Sequence, residues 1–120
     1  MSTATADRVE EFFERYAAAL LARDARAVAD LYAVPALILF PGNPVPVTSR
    51  SQTEQFFAAS WVQYEGVESV RKRVRILAEA PWSVWADVAW SYGGGPRERF
   101  CYQLVDDAGR LRIAVLTPLP

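Results

Sequence analysis

A chain of 120 residues with 52 % apolar side chains, four Trp, five Tyr and six Phe has the size and composition of one globular unit, spanning residues 1–120. A net charge of −1 gives no general attraction to nucleic acid or to an anionic membrane. The absence of histidine excludes a histidine general base, a catalytic triad and any zinc or iron site built on imidazole. The lone cysteine, Cys101, allows no intrachain disulfide and suits a reducing cytoplasm. The opening MSTATADRVEE lacks the basic-then-apolar order of a secretory signal, and no apolar run approaches the roughly 18 residues that cross a bilayer.

Val9, Phe12, Phe13, Tyr16 and Leu20 recur at helical spacing, with Glu10, Glu11, Glu14 and Arg15 between them. Asp24 stands where that pattern breaks and is placed to cap a second helix over Ala25–Ala33, with Val28, Leu31 and Tyr32 on one face. Pro35 ends this helix, and the apolar run 36–40 (ALILF) predicts a buried strand. The following PGNPVPV permits only a short hairpin or edge strand. Thr48 or Ser49 opens a third helix carrying Thr53, Phe56, Phe57, Ser60, Trp61 and Tyr64 along one side.

Beyond Gly66 the pattern becomes strand-like: Val67–Glu79, Trp82–Tyr92, Arg97–Asp106 and Arg110–Leu116. Turn residues at Ala80-Pro81, Gly93–Pro96 and Asp106–Gly109 make neighbouring strands antiparallel. Helices first and a meander afterwards predict an α+β fold, a curved antiparallel sheet covered on one face by three N-terminal helices.

The stretch RYAAALLARDARAVADLYA (15–33), the later QFFAASW (55–61) and the closing GRLRIAVLTPL (109–119) resemble the nuclear transport factor 2-like superfamily, the cone-shaped α+β barrel of SnoaL-like cyclases and ketosteroid isomerases. The resemblance implies an interior lined by alternate residues of each strand. Among the steroid isomerases a first-helix tyrosine and a strand aspartic acid form an oxyanion hole, and an aspartate before a proline shuttles the proton. Here Tyr16 matches the tyrosine. Phe40 occupies the proton-shuttling position, Phe57 that of a supporting tyrosine, and Phe100 lies near that of the second acid. The steroid-isomerase reaction is therefore not implied. Scytalone dehydratases rely on histidines, which this chain lacks, and no acid–Arg–acid set of the epoxide-hydrolase kind is evident.

On this reading Tyr16, Leu20, Phe40, Phe57, Trp61, Val88, Trp90, Phe100, Tyr102 and Leu116 line an apolar pocket, with Ala114 on the same parity as Leu116. Tyr16 is the candidate catalytic residue, a phenol that can donate to a carbonyl or enolate oxygen. The alternative is an anchoring tyrosine bonded to Tyr102, a backbone carbonyl or water. Asp30 and Asp87 read as solvated or salt-bridged acids. The cluster Arg71, Lys72, Arg73 and Arg75 reads as edge protection, or as partners for Glu65, Glu68 and Glu79, and Cys101 reads as an inert thiol.

Leu111, Ile113, Val115 and Trp85 fall on the outer parity. A sheet apolar on both faces, together with the resemblance, implies a homodimer through that face. No cofactor, metal, nucleic acid or membrane partner is expected. Two functional classes stand open: a domain binding a small hydrophobic molecule, or a SnoaL-like isomerase, cyclase or dehydratase acting on an apolar ring compound.

Overall fold

The computed structural model describes residues 3–40, 42–93 and 97–120. Helix α1 (Thr3–Leu21) is followed by α2 (Ala25–Asp30), strands β1 (Tyr32–Phe40) and β2 (Asn43–Val47), helix α3 (Arg50–Ser60) and a short 3-10 helix (Trp61–Tyr64). Strands β3 (Val70–Ala80), β4 (Ser83–Tyr92), β5 (Arg97–Asp107) and β6 (Arg110–Pro118) complete the chain. The sheet order is β2-β1-β6-β5-β4-β3.

Helix α1 buries Val9, Phe12 and Phe13 completely and Tyr16 almost so, leaving Glu10, Glu11, Glu14 and Arg15 in water. It closes in a Schellman arrangement: the Asp24 amide donates to Ala19 O and the Arg23 amide to Leu20 O, both at 3.1 Å. Arg23 takes the left-handed position at φ 52°. The Asp24 side chain then accepts from the Ala27 amide at 3.1 Å and caps α2, the role its position predicts.

Helix α2 is shorter than its sequence pattern suggests. It ends at Asp30, and Tyr32 already belongs to β1, opposite Ile113 of β6. The sheet captures the chain here, because Leu31 O accepts from the Ile113 amide at 2.8 Å. Pro35 thus lies within β1, in the irregular stretch between Tyr32 and Leu37 where ladder pairing with β6 is interrupted, a position a strand proline tolerates. The β1–β6 pair is parallel, whereas the other neighbouring pairs are antiparallel as expected. Pro44 and Pro46 sit on edge strand β2.

Irregularities between Ile76 and Ala78 and between Gln103 and Leu104 bend the sheet around the helices. The second changes parity. Leu116 faces Tyr102 and Ile113 faces Leu104, so both point inward, as does Leu111. Leu111 and Ile113 therefore belong to the core and not to the outer face, and Ala114 is the extra residue of the bulge. Trp82, the first residue of the strand-like segment Trp82–Tyr92, sits exposed in the β3–β4 turn. The β5–β6 turn has positive φ at both Ala108 and Gly109, as a two-residue type I′ hairpin requires. The turn expected at 93–96 falls on residues 94–96, outside the described residues.

Helix α1 is fastened to the sheet by polar contacts as well as by its apolar face. Lys72 reaches Glu14 at 2.5 Å and Glu10 at 3.4 Å, Thr5 donates to Glu79 at 2.8 Å, and Arg8 meets Asp106 at 3.4 Å. The basic strand therefore divides: Lys72 turns toward α1, while Arg71, Arg73 and Arg75 stay exposed on edge strand β3.

Candidate functional site

The concave side of the sheet encloses a cavity of about 420 Å³. Tyr16, Leu20, Phe57, Phe100, Tyr102 and Leu116 form its inner walls, and Phe40, Phe56 and Trp61 continue them outward. The exposed lining residues Arg23, Asn43, Ala59 and Gln63 mark where it meets solvent. Phe40 stacks on Phe56 at 5.4 Å between ring centroids and meets Phe100 edge-on at 6.0 Å. These contacts make the three phenylalanines one continuous wall.

Of the residues assigned to a pocket from the sequence, Val88 and Trp90 do not reach it. Both are fully enclosed, with Trp90 wedged against Phe13 at 6.3 Å and Tyr16 at 5.8 Å. Their inward parity buries them beneath α1, which occupies that part of the cone. Tyr16, Leu20, Phe40, Phe57, Trp61, Phe100, Tyr102 and Leu116 do share the cavity.

Tyr16 is held by a partner on β1. Its hydroxyl lies 2.8 Å from that of Tyr32, a contact between two buried phenols. Nearby, Trp90 Nε1 donates to the Tyr102 hydroxyl at 2.9 Å. Burial pushes the Tyr16, Tyr32 and Tyr102 hydroxyls well above the ordinary phenol range. After burial, Tyr32, Tyr92 and Tyr64 further raise Tyr16, and among the described residues no carboxylate contributes to that shift. In the pair only one of two hydroxyl protons is shared, so Tyr16, which borders the cavity, can still donate outward when Tyr32 donates to it.

The acid that does reach the cavity is Glu98, which the sequence analysis does not single out. Its neighbours Arg97 and Arg99 point to the opposite side of β5, whereas Glu98 shares the inward parity of Phe100 and Tyr102, opposite Trp90. Extending the inward set of β5 by one step would have found it. Tyr64 donates to Glu98 Oε1 at 2.7 Å, and the Tyr64 and Tyr92 rings meet edge-on at 5.0 Å. Both phenols are raised, first by burial and then by Glu98.

Arg23 fixes this corner. Its guanidinium donates to Tyr64 O at 2.7 Å, to Val67 O at 3.1 Å and to Leu21 O at 3.0 Å. The end of α1 is thereby tied to the segment that carries Tyr64, and Gly66, at φ +82°, lets that segment turn back so that the Val67 amide reaches Tyr64 O.

The remaining acids and the thiol stand apart from the cavity. Asp87 is buried on the outer side of β4 and paired with Arg99 at 2.5 and 2.9 Å, and that hydrogen bonding holds its carboxyl below its ordinary value. Asp30 pairs with Arg50. Cys101 lies outward beside Asp87, and burial pushes its thiol up.

The profile of a family described as NTF2-like protein (DUF6841) matches residues 6–120. Among solved structures, an NTF-2-like protein of unknown function from Shewanella oneidensis MR-1 is similar at a TM-score of 0.77 and 11% identity, over 95% of this chain and 98% of that one. Aln2 from a Streptomyces species gives 0.74 at 17% identity, over 98% and 91%. A protein from Catenulispora acidiphila gives 0.73 at 21% identity, over 97% and 91%. At these identities the likeness is one of fold. No curated protein sequence matches the chain.

Proposed function

The chain belongs to the NTF2-like family, and from that premise we propose that it binds a small, largely apolar molecule inside its cone, acting as a homodimer in the cytoplasm. The cavity carries this reading. At about 420 Å³ it falls within the 300–1,000 Å³ typical of ligand sites, and its walls are mainly aromatic. Walls of that character release water readily and gain from contact with a ring compound.

The dimer rests on the outer sheet face. There Leu37, Val115, Gln103 and Trp85 stand side by side across four strands, all partly buried. Leu111 and Ile113 add nothing to that face, so the apolar patch is smaller than the sequence pattern suggests.

A second reading, isomerisation, cyclisation or dehydration of an apolar ring compound, is favoured by one observation: Tyr16 lines the cavity, and its hydroxyl can donate outward when Tyr32 is the donor of the shared hydrogen bond. Acid–base chemistry there would need a carboxylate working with Tyr16, and the groups acting on Tyr16 are phenols. Binding is therefore the preferred reading.

The test uses N-phenyl-1-naphthylamine, a neutral dye that brightens in apolar surroundings. Wild type should bind it saturably at one site per chain, and Leu20→Trp, which fills the cavity from α1, should lose that site. Dye binding that is unsaturable, or unchanged by Leu20→Trp, would remove the proposal. Native mass spectrometry showing only monomer at micromolar concentration would remove the dimer.

A further inference from the structure

Glu98 has a charge environment unlike that of the chain's other buried or half-buried acids. Asp87 has Arg99 and Asp106 has Arg8, but among the described residues no lysine or arginine pairs with Glu98. Arg97 and Arg99 face the other side of the strand, and Arg23, in the same wall, has turned its guanidinium onto three carbonyls. The Tyr64 hydroxyl donates to Glu98 Oε1 and the Tyr92 phenol also acts on this carboxylate, two neutral neighbours for a group with about four acceptor sites. The carboxylate is half-buried, and Tyr64, Tyr92, Phe100 and Trp61 stand around the same cavity.

Aromatic faces attract cations and offer nothing to anions. An unpaired carboxylate adds a full charge and a strong acceptor to that preference. We infer that the cavity is built for an amine: a small ring compound whose apolar body lies against Phe40, Phe57 and Phe100 while its ammonium group meets Glu98. This inference rests on the proposed binding role and adds the chemical class of the ligand. The tie from Arg23 to Tyr64 O fixes the backbone of the segment whose phenol meets Glu98, and a carboxylate that accepts from that phenol keeps acceptor capacity for a ligand.

The test compares two probes of equal shape by titration calorimetry at pH 7: 1-naphthylmethylamine, which is protonated, and 1-naphthylmethanol, which is neutral. A hydrogen bond to a charged partner makes the amine the tighter ligand of wild type by about tenfold. Glu98→Gln should bring the ratio of the two affinities close to one; because the ratio compares two probes on one protein, a general loss of affinity cancels. Tyr64→Phe, which removes the phenol donor and keeps the carboxylate, should preserve or enlarge the ratio. Equal binding of both probes to wild type, an amine preference that survives Glu98→Gln, or a ratio near one in Tyr64→Phe would each overturn the inference while leaving a binding cavity in place. Failure of both probes to bind wild type would overturn the inference and the binding role together.

Discussion

Alkali is the stress that most directly tests the phenols packed into this core. Tyr16, Tyr32 and Tyr102 retain 2 %, 2 % and 1 % exposure, and burial holds their hydroxyls well above the ordinary range. A group whose folded pKa is raised contributes stability that is complete below its unfolded value, here about 10, and is lost as pH climbs above it. In that window the unfolded chain releases protons that the fold retains. Each such phenol removes about 1.4 kcal/mol per pH unit, and the three together about 4 kcal/mol per unit. Against a total stability of about 5–15 kcal/mol, about one to four units above pH 10 suffice to unfold the chain, and a mid-range stability of about 10 kcal/mol centres the transition at about pH 12–13. The half-buried Tyr64 and Tyr92 are left out of that sum, although both are raised as well. Lys72 is the sole lysine, which keeps the background titration small. Absorbance at 295 nm and far-UV circular dichroism, followed on the same samples from pH 7 to 13, should show phenolate appearing together with loss of structure. Three or more tyrosines ionising per chain near pH 10, with the circular dichroism unchanged, would refute the reasoning, because at least one of the three buried hydroxyls would then be open to solvent.

Two further outcomes follow from named contacts. Tyr16→Phe or Tyr32→Phe alone strands one buried hydroxyl and should cost about 1–3 kcal/mol in urea denaturation, whereas the double variant should cost less than the sum; strict additivity would mean the two phenols do not interact. Hydrogen bonding from Arg99 lowers the folded pKa of Asp87, so that carboxyl contributes stability above its unfolded value of about 4, lost as pH falls through the folded value. Asp87→Asn should therefore flatten the acid limb of the urea midpoint below pH 4 and leave the neutral region without a new slope, and acid limbs identical to wild type would contradict the pairing.

Local chemistry made much of the fold legible. The helical spacing from Val9 to Leu20 and the Asp24 cap each depend on residues close in sequence and each appears in place, while the strand read over 36–40 is present but begins earlier, at Tyr32, with Pro35 inside it. What escaped depends on distant pairing. Tyr32 reads as helical until β6 is present to bond the chain at Leu31, and no local signal announces that capture. Strict alternation along β6 puts Leu111 and Ile113 outside, but the bulge opposite Gln103 and Leu104 brings them in, and a bulge without glycine leaves little mark in sequence. Val88 and Trp90 show a further limit. Parity says which side of a sheet a residue takes, not whether a helix or a void lies above it.

The same distinction explains where the polar groups of the cavity ended up. At the positions where the resemblance implies acids, Phe40 and Phe100 meet edge-on and line the cavity wall. A carboxylate at either place would face rings and carry a desolvation cost with no cation to offset it. Two residues earlier on the same face of β5, about 6–7 Å along the strand, Glu98 is half-exposed and meets a phenol instead. Deeper in, the lining phenols Tyr16 and Tyr102 are bonded by neutral groups behind them, the Tyr32 hydroxyl and the Trp90 indole N–H. Charge therefore sits toward the opening and neutral donors at depth. A ligand fitting that gradient enters with its apolar end first and leaves its charged end at Glu98, and the amine–alcohol comparison measures what that charge contributes to binding.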